Sequence, residues 1–154
     1  MSGDLLIQNV MMVLPSGIVE GDLRIIKGTI RTIAPNGGIE PVLDEMVIDG
    51  TGLHLLPGAI DPHVHFRDPG HPEKEDLESG SRAAASGGIT SFLDMPNTVP
   101  NAINRISLEQ KISLASKKAV THHGFFIGAT ANNVADLRSV EGMRGVCGIK
   151  IFMG

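Results

Sequence analysis

Beyond Pro57 the chain repeats one pattern, and that repetition limits its fold more than any other feature. A short apolar run, GAIDPHVHF, gives way to a polar loop and a helical stretch, and the runs GITSFLDMPN, HHGFFIGA and VCGIKIFMG follow in turn. Each run has the length of a strand and is bounded by turn-forming residues. Between them, ESGSRAAASGG predicts a helix that stops at its Gly pair. Residues 107–120 predict a second helix, opened by Ser107 and Gln110 as a capping box, with Leu108, Ile112, Ala115 and Ala119 on one face. A third, shorter helix starts near Asn133 and carries Val134 and Leu137. Strands alternating with helices predict a parallel sheet joined by right-handed crossovers. Four strands suffice for an open doubly wound sheet, or for the first half of an eight-stranded barrel. The alternation alone allows both.

Residues 4–56 follow a different grammar. DLLIQNVMMV, DLRIIKGTIRTIAP and VIDGTGLHLLPG are short strand-like runs, the second folded about Lys27-Gly28. They predict a small sheet module ahead of the βα repeat. With 154 residues, 42% hydrophobic and 19% charged, the chain is globular in composition. With a formal net charge of −4, a basic nucleic-acid footprint is not expected. No apolar stretch approaches the 18 residues of a membrane span, so a cytoplasmic protein is expected. Cys147, the single cysteine, excludes an internal disulfide and is expected to be buried and inert in its apolar run.

His63 and His65 stand one residue apart at the end of the first apolar run. Side chains at i and i+2 of a strand share a face, so two imidazoles can reach one ion from a rigid backbone. Strand C-terminal ends are also where α/β folds place their sites. Spacing alone leaves this reading beside the plainer one of two unrelated histidines, because a catalytic zinc normally needs three protein ligands.

The segment DPHVHFRDPG resembles the first-strand signature of the amidohydrolase superfamily, and within it most resembles dihydroorotase, with hydantoinase and allantoinase as near relatives. LDMPNTVP at 93–100 is similar to the second-strand signature, GIKIFMG at 148–154 to the fourth-strand segment that presents a lysine, and VIDGTGLHLLPG to the lead-in from the family's small sheet module. The resemblance implies an α/β fold: a TIM barrel of a metal-dependent hydrolase, of which the chain holds the first four βα strands (57–154), preceded by the N-terminal part of a composite β-sandwich module (1–56). It implies two divalent ions, zinc by expectation, with His63 and His65 as ligands. Lys150 would bridge them as a lysine carboxylated by carbon dioxide, because a free ammonium cannot bind a cation.

By the same resemblance, Arg67 and Asn97 bind the substrate carboxylate of L-dihydroorotate, in reversible ring opening to N-carbamoyl-L-aspartate in pyrimidine biosynthesis. Guanidinium forks and amide N–H groups both suit a carboxylate. Plainer readings are a surface ion pair for Arg67, a turn residue for Asn97 and a strand-end lysine for Lys150. Asp61 can orient a ligand histidine or cap the strand end. His54, His71, His122 and His123 are expected to be structural or surface groups, and Asp94 lies near the site without an arguable role. No catalytic residue is expected within these residues: the general-base aspartate and two further histidines lie on later strands in the family. The piece alone is therefore expected to be inactive, and the whole protein to be a homo-oligomer acting on a small molecule. A hydantoinase or allantoinase, a non-catalytic family member and a complete open α/β domain are the alternatives.

Overall fold

The computed structural model describes residues 3–153, and the chain divides into two compact units at the Pro57–Gly58 bond. The first unit is a five-stranded mixed sheet. Strands β1 (Leu5–Leu14), β2 (Gly17–Ile26), β3 (Thr29–Pro35) and β4 (Met46–Asp49) lie in the order β3-β2-β1-β4, and β5 (His54–Leu55) also pairs with β1. β1–β2 and β2–β3 are antiparallel, whereas β4 and β5 run parallel to β1. The β2–β3 hairpin turns at Lys27 and Gly28, both at positive φ (50° and 74°), the twist that a two-residue hairpin requires.

Leu6, Val10, Met12 and Leu23 are buried in this unit. The pairing register slips between Ile7 and Val10, where Asn9 takes φ 55°, so β1 carries an extra residue opposite Asp22. The slip puts Ile7 on the same face as Val10 and Met12, packed with Leu23, and turns Leu6 to the other face. Asp22 absorbs the disruption. Its Oδ1 accepts the Asn9 N–H at 3.0 Å and its Oδ2 the Ile39 N–H at 2.9 Å. Burial alone would raise the Asp22 carboxyl, but the N–H groups of Ile39, Asn9 and Gly38 outweigh it and hold the group below the usual carboxylate value.

The second unit is the βα repeat. Strands β6 (Ala59–Val64), β7 (Ile89–Asp94), β8 (His122–Gly128) and β9 (Val146–Lys150) are all parallel and pair in chain order. Helices α1 (Leu77–Ser86), α2 (Arg105–Lys118) and α3 (Val134–Ser139) connect them. A doubly wound sheet reverses its strand order at a switch point, and these four strands do not, which is the order of a barrel wall.

Leu77, Leu108, Ala115 and Val140 from the helices and connections pack against Phe92, Phe125 and Ile127 from the strands. Helix α2 begins earlier than the sequence suggests. Asn104 is its N-cap, accepting the Ser107 N–H at 2.9 Å, and Ser107 supplies the reciprocal side chain from inside the helix. Both residue types cap well, and the one whose backbone leaves helical geometry takes the role. The face expected from Leu108, Ile112, Ala115 and Ala119 is the packed one. Cys147 departs from expectation. It is exposed, on a strand that pairs on one side among the described residues.

The Asp22 geometry predicts acid sensitivity. A carboxyl lowered in the folded state contributes stability above its unfolded value and loses it as pH falls through the folded one. In urea denaturation of the chain between pH 7 and 3, Asp22→Asn should cost about 2 kcal/mol at neutral pH. It should also flatten the acid limb of the stability curve. An unaltered acid limb would remove Asp22 as its source.

Candidate metal and substrate site at the strand ends

Pro62 has no N–H to give to the ladder, and the β6–β7 register slips between Asp61 and Val64. His63 therefore sits in the last, irregular turn of β6, and His65 and Arg67 lie just past its end at Val64. The two imidazoles still converge. Their Nε2 atoms are 3.2 Å apart and their ring centroids 5.1 Å apart. Two nitrogens on one tetrahedral ion, each at about 2.05 Å, are separated by about 3.3 Å. The pair thus has the bite of two ligands on one cation.

Asn97, in the loop after β7, fixes the second ring. His65 Nδ1 lies 2.7 Å from Asn97 Oδ1. An amide oxygen only accepts, so Nδ1 carries the proton and Nε2 keeps its lone pair toward His63. This is the tautomer a metal-binding imidazole needs, set from its far nitrogen. Asp61 does not perform that task. Its Oδ1 accepts the His63 backbone N–H at 3.1 Å, the turn role rather than the ring-orienting one.

The structure leaves the other two expected residues apart from this trio. Lys150 ends β9, three strands from β6, and its Nζ lies 5.5 Å from the centroid of the Phe152 ring. The Arg67 guanidinium makes no hydrogen bond or ion pair among the described residues, although its backbone donates to Glu75 O at 3.0 Å and accepts from His71 N at 2.7 Å. No group of three or more His, Cys, Asp or Glu side chains assembles among the described residues. Of the remaining histidines, His71 faces Glu73 at 3.2 Å on an exposed loop, His122 is exposed, and His123 packs near Phe92 and Phe125.

Sequence reasoning gave Asp94 no role and passed over Lys111. Both are fully buried, with Lys111 Nζ 2.9 Å from Asp94 Oδ2. The ammonium also donates to Met95 O at 2.7 Å and lies 5.1 Å from the centroid of the Phe125 ring. Asp94 Oδ1 accepts the Phe66 N–H at 3.1 Å. Burial pushes the Asp94 carboxyl up and the Lys111 ammonium down, while their mutual attraction opposes both shifts. The available signal was position: residue 111 belongs to the same helical face as Leu108 and Ala115, where a lysine is rare unless paired.

Two further ties hold the same rim. Lys118 Nζ meets the buried Asp68 at 2.7 Å, and the Asp68 hydrogen bond raises the Lys118 ammonium above its ordinary value. Asn133 Nδ2 donates to Ile103 O and Gly128 O while its Oδ1 accepts from Thr130 N–H, which joins the β7 and β8 loops to the start of α3.

Residues 54–138 match the model of the amidohydrolase family. An allantoinase from Deinococcus radiodurans is 37% identical over 154 residues, covering 99% of this chain and 34% of its own length. A dihydroorotase from Methanothermobacter thermautotrophicus is 45% identical over 111 residues, covering 69% of this chain and 24% of its own. The L-hydantoinase (dihydropyrimidinase) from Arthrobacter aurescens superposes with a TM-score of 0.87 at 26% identity, over 97% of this chain and 32% of that one. The chain spans about a third of the length of the curated allantoinases it matches.

Packing behind the site gives a direct test. A Cβ on Gly80 of α1 would lie 2.5 Å from the Phe66 ring, whose backbone separates His65 from Arg67. Gly80→Ala should therefore destabilise the chain by about 1–3 kcal/mol. It should also displace Phe66 in the ring-proton NMR spectrum. Unchanged stability and Phe66 resonances would show that the ring has room to yield.

Proposed function

The chain belongs to the amidohydrolase family, and from that membership we propose that it forms the N-terminal part of a metal-dependent hydrolase that opens cyclic amides. The observation that carries this reading is the convergence of His63 and His65, with Nε2 atoms 3.2 Å apart and the His65 tautomer set by Asn97. In this proposal His63 and His65 hold a divalent cation, zinc by preference for imidazole nitrogen. Lys150, carboxylated by carbon dioxide, becomes an anionic ligand from the end of β9. A bound metal supplies a water of lowered pKa and polarises the ring carbonyl.

The chain's own residues do the rest of the positioning. Asn97 keeps the His65 Nε2 lone pair available, and Arg67 offers a guanidinium without a partner among the described residues. We propose that residues outside this sequence complete the site with two further histidines and a general-base aspartate. We likewise propose that residues 1–56 are one part of a composite β-sandwich module, that 57–154 form the first half of the barrel, and that the whole protein is a homo-oligomer. Among the described residues no helix is long and apolar enough to cross a membrane.

The comparisons favour a cyclic ureide of the allantoin or hydantoin kind as substrate. Several of the curated relatives are allantoinases, and hydantoinases and dihydropyrimidinases are among the solved structures that match. Arg67 favours a second reading, dihydroorotate. A guanidinium two residues beyond His65, with no hydrogen bond or ion pair among the described residues, suits a substrate carboxylate that hydantoin lacks.

Two measurements test this. The intact gene product, assayed on allantoin, hydantoin, dihydropyrimidine and dihydroorotate, should open at least one ring and lose that activity on removal of metal; inactivity on all four would defeat the proposal. If dihydroorotate is the substrate, Arg67→Ala should lower kcat/KM by roughly 10- to 100-fold, the worth of a charge-assisted hydrogen bond, with metal content kept. If a neutral ureide is the substrate, the same change should leave kcat/KM near the parent value. Separately, zinc calorimetry of the 154-residue chain should give weak binding that Asn97→Ala weakens about tenfold or more, as loss of an orienting partner does. Equal affinity in that variant would separate Asn97 from the metal.

A further inference from the structure

The buried pair Lys111–Asp94 is not used by the chemistry above, yet the hydrogen bonds its side chains make to the rest of the chain end on the backbone of the site. Asp94 Oδ1 holds the Phe66 N–H at 3.1 Å, and Phe66 lies between His65 and Arg67. Lys111 Nζ donates to Met95 O at 2.7 Å, two residues before Asn97. Met95 N–H in turn donates to Val64 O at 3.0 Å, the residue between the two histidines. The ends of β6 and β7 are thus sewn together past the point where the regular ladder stops, and the thread runs through one ammonium on α2.

A buried ion pair is a poor source of net stability. Replacing both members by apolar residues is often neutral or better, whereas removing one is strongly destabilising. Stability alone does not account for a lysine placed among Leu108, Phe125 and Ala115. A polar network that terminates on the backbone beside each site residue has a different use, because it gives irregular chain a single geometry. Lys118 repeats the arrangement on the other side of Arg67, meeting Asp68 at 2.7 Å. The Arg67 side chain has no hydrogen-bond or ion-pair partner among the described residues, while both of its neighbours are anchored to α2, Phe66 through Asp94 and Asp68 directly.

We propose that Lys111 is a positioning residue, acting through Asp94 and Met95 to fix the strand-end backbone so that His63, His65 and Asn97 converge and Arg67 is held between two anchors. The proposal deepens the function given above and rests on it for what the site binds.

The test separates positioning from stability. Asp94→Val with Lys111→Met removes both charges with a modest change of volume and should leave the chain folded and more stable than either single change. Lys111→Met alone should fold less stably. The readouts are the Phe66 amide exchange rate and the nitrogen resonances of the His65 ring. In the parent, His65 should show one tautomer, with the proton on Nδ1. In the folded double variant, Phe66 exchange should rise about tenfold or more relative to the other amides of β6 and β7, and the His65 ring should average between tautomers. A folded double variant that keeps the single His65 tautomer overturns the proposal, since the pair would then serve stability alone. Neither readout needs metal or substrate. A whole protein inactive on every cyclic amide would therefore end the functional reading while these measurements still decide the positioning role.

Discussion

An ammonium and a carboxylate withdrawn from water in the middle of the barrel wall set the terms for the rest of this structure. Lys111 and Asp94 are both fully buried, 2.9 Å apart. Such a pair is tolerable only when its remaining donors and acceptors are satisfied. The partners here are the Met95 carbonyl and the Phe66 amide, both on the rim where two strands end. Asp94 Oδ2 has the ammonium beside it but no hydrogen bond of its own, so the bonds that offset the buried charges are the ones that order the rim. The cost of desolvation is met at the place where a loop would otherwise have several conformations.

Much of the fold was legible in the sequence, because hydrophobic periodicity reports burial directly. The four apolar runs after Pro57 are the four parallel strands, and the face built from Leu108, Ile112, Ala115 and Ala119 is the buried face of α2. What the period could not decide was the strand order, since the alternation fits both an open sheet and a barrel wall. Errors clustered where local chemistry is degenerate. Asn104 and Ser107 are both good caps, and only backbone geometry separates them. Cys147 sits in an apolar run, yet it is exposed on a strand that pairs on one side among the described residues.

The candidate site was legible only in part, and for a related reason. His63 and His65 are visible because their spacing is local. The contact between Asn97 and His65 spans 32 positions and was not foreseen, since the resemblance offered Asn97 only as a substrate ligand. Even the histidine pair reaches its geometry differently from expectation: the strand ends at Val64, and the extended course through His65 is held by Met95 and Asp94 instead of by a ladder. Lys111 was hidden by its type, since a lysine read in isolation belongs to a solvated surface. Asp22 in the first unit shows the same limit. Its carboxylate repairs a bulge whose existence depends on register with a neighbouring strand.

Pairing of the four strands in chain order has a wider consequence. Each repeat of strand and helix delivers its own contribution to the rim: the first brings His63, His65 and Arg67, the second Asn97, the fourth Lys150. Backbone architecture is therefore modular, and a loop can lengthen or change sequence without redrawing its neighbours. The bonds that align the rim are not modular. Asp94 of one repeat grips Phe66 of the repeat before, and Asn133 ties Ile103 to Gly128 across the next boundary. Variation that respects the repeat can alter what the rim recognises, while variation at these crossing points disturbs several repeats together.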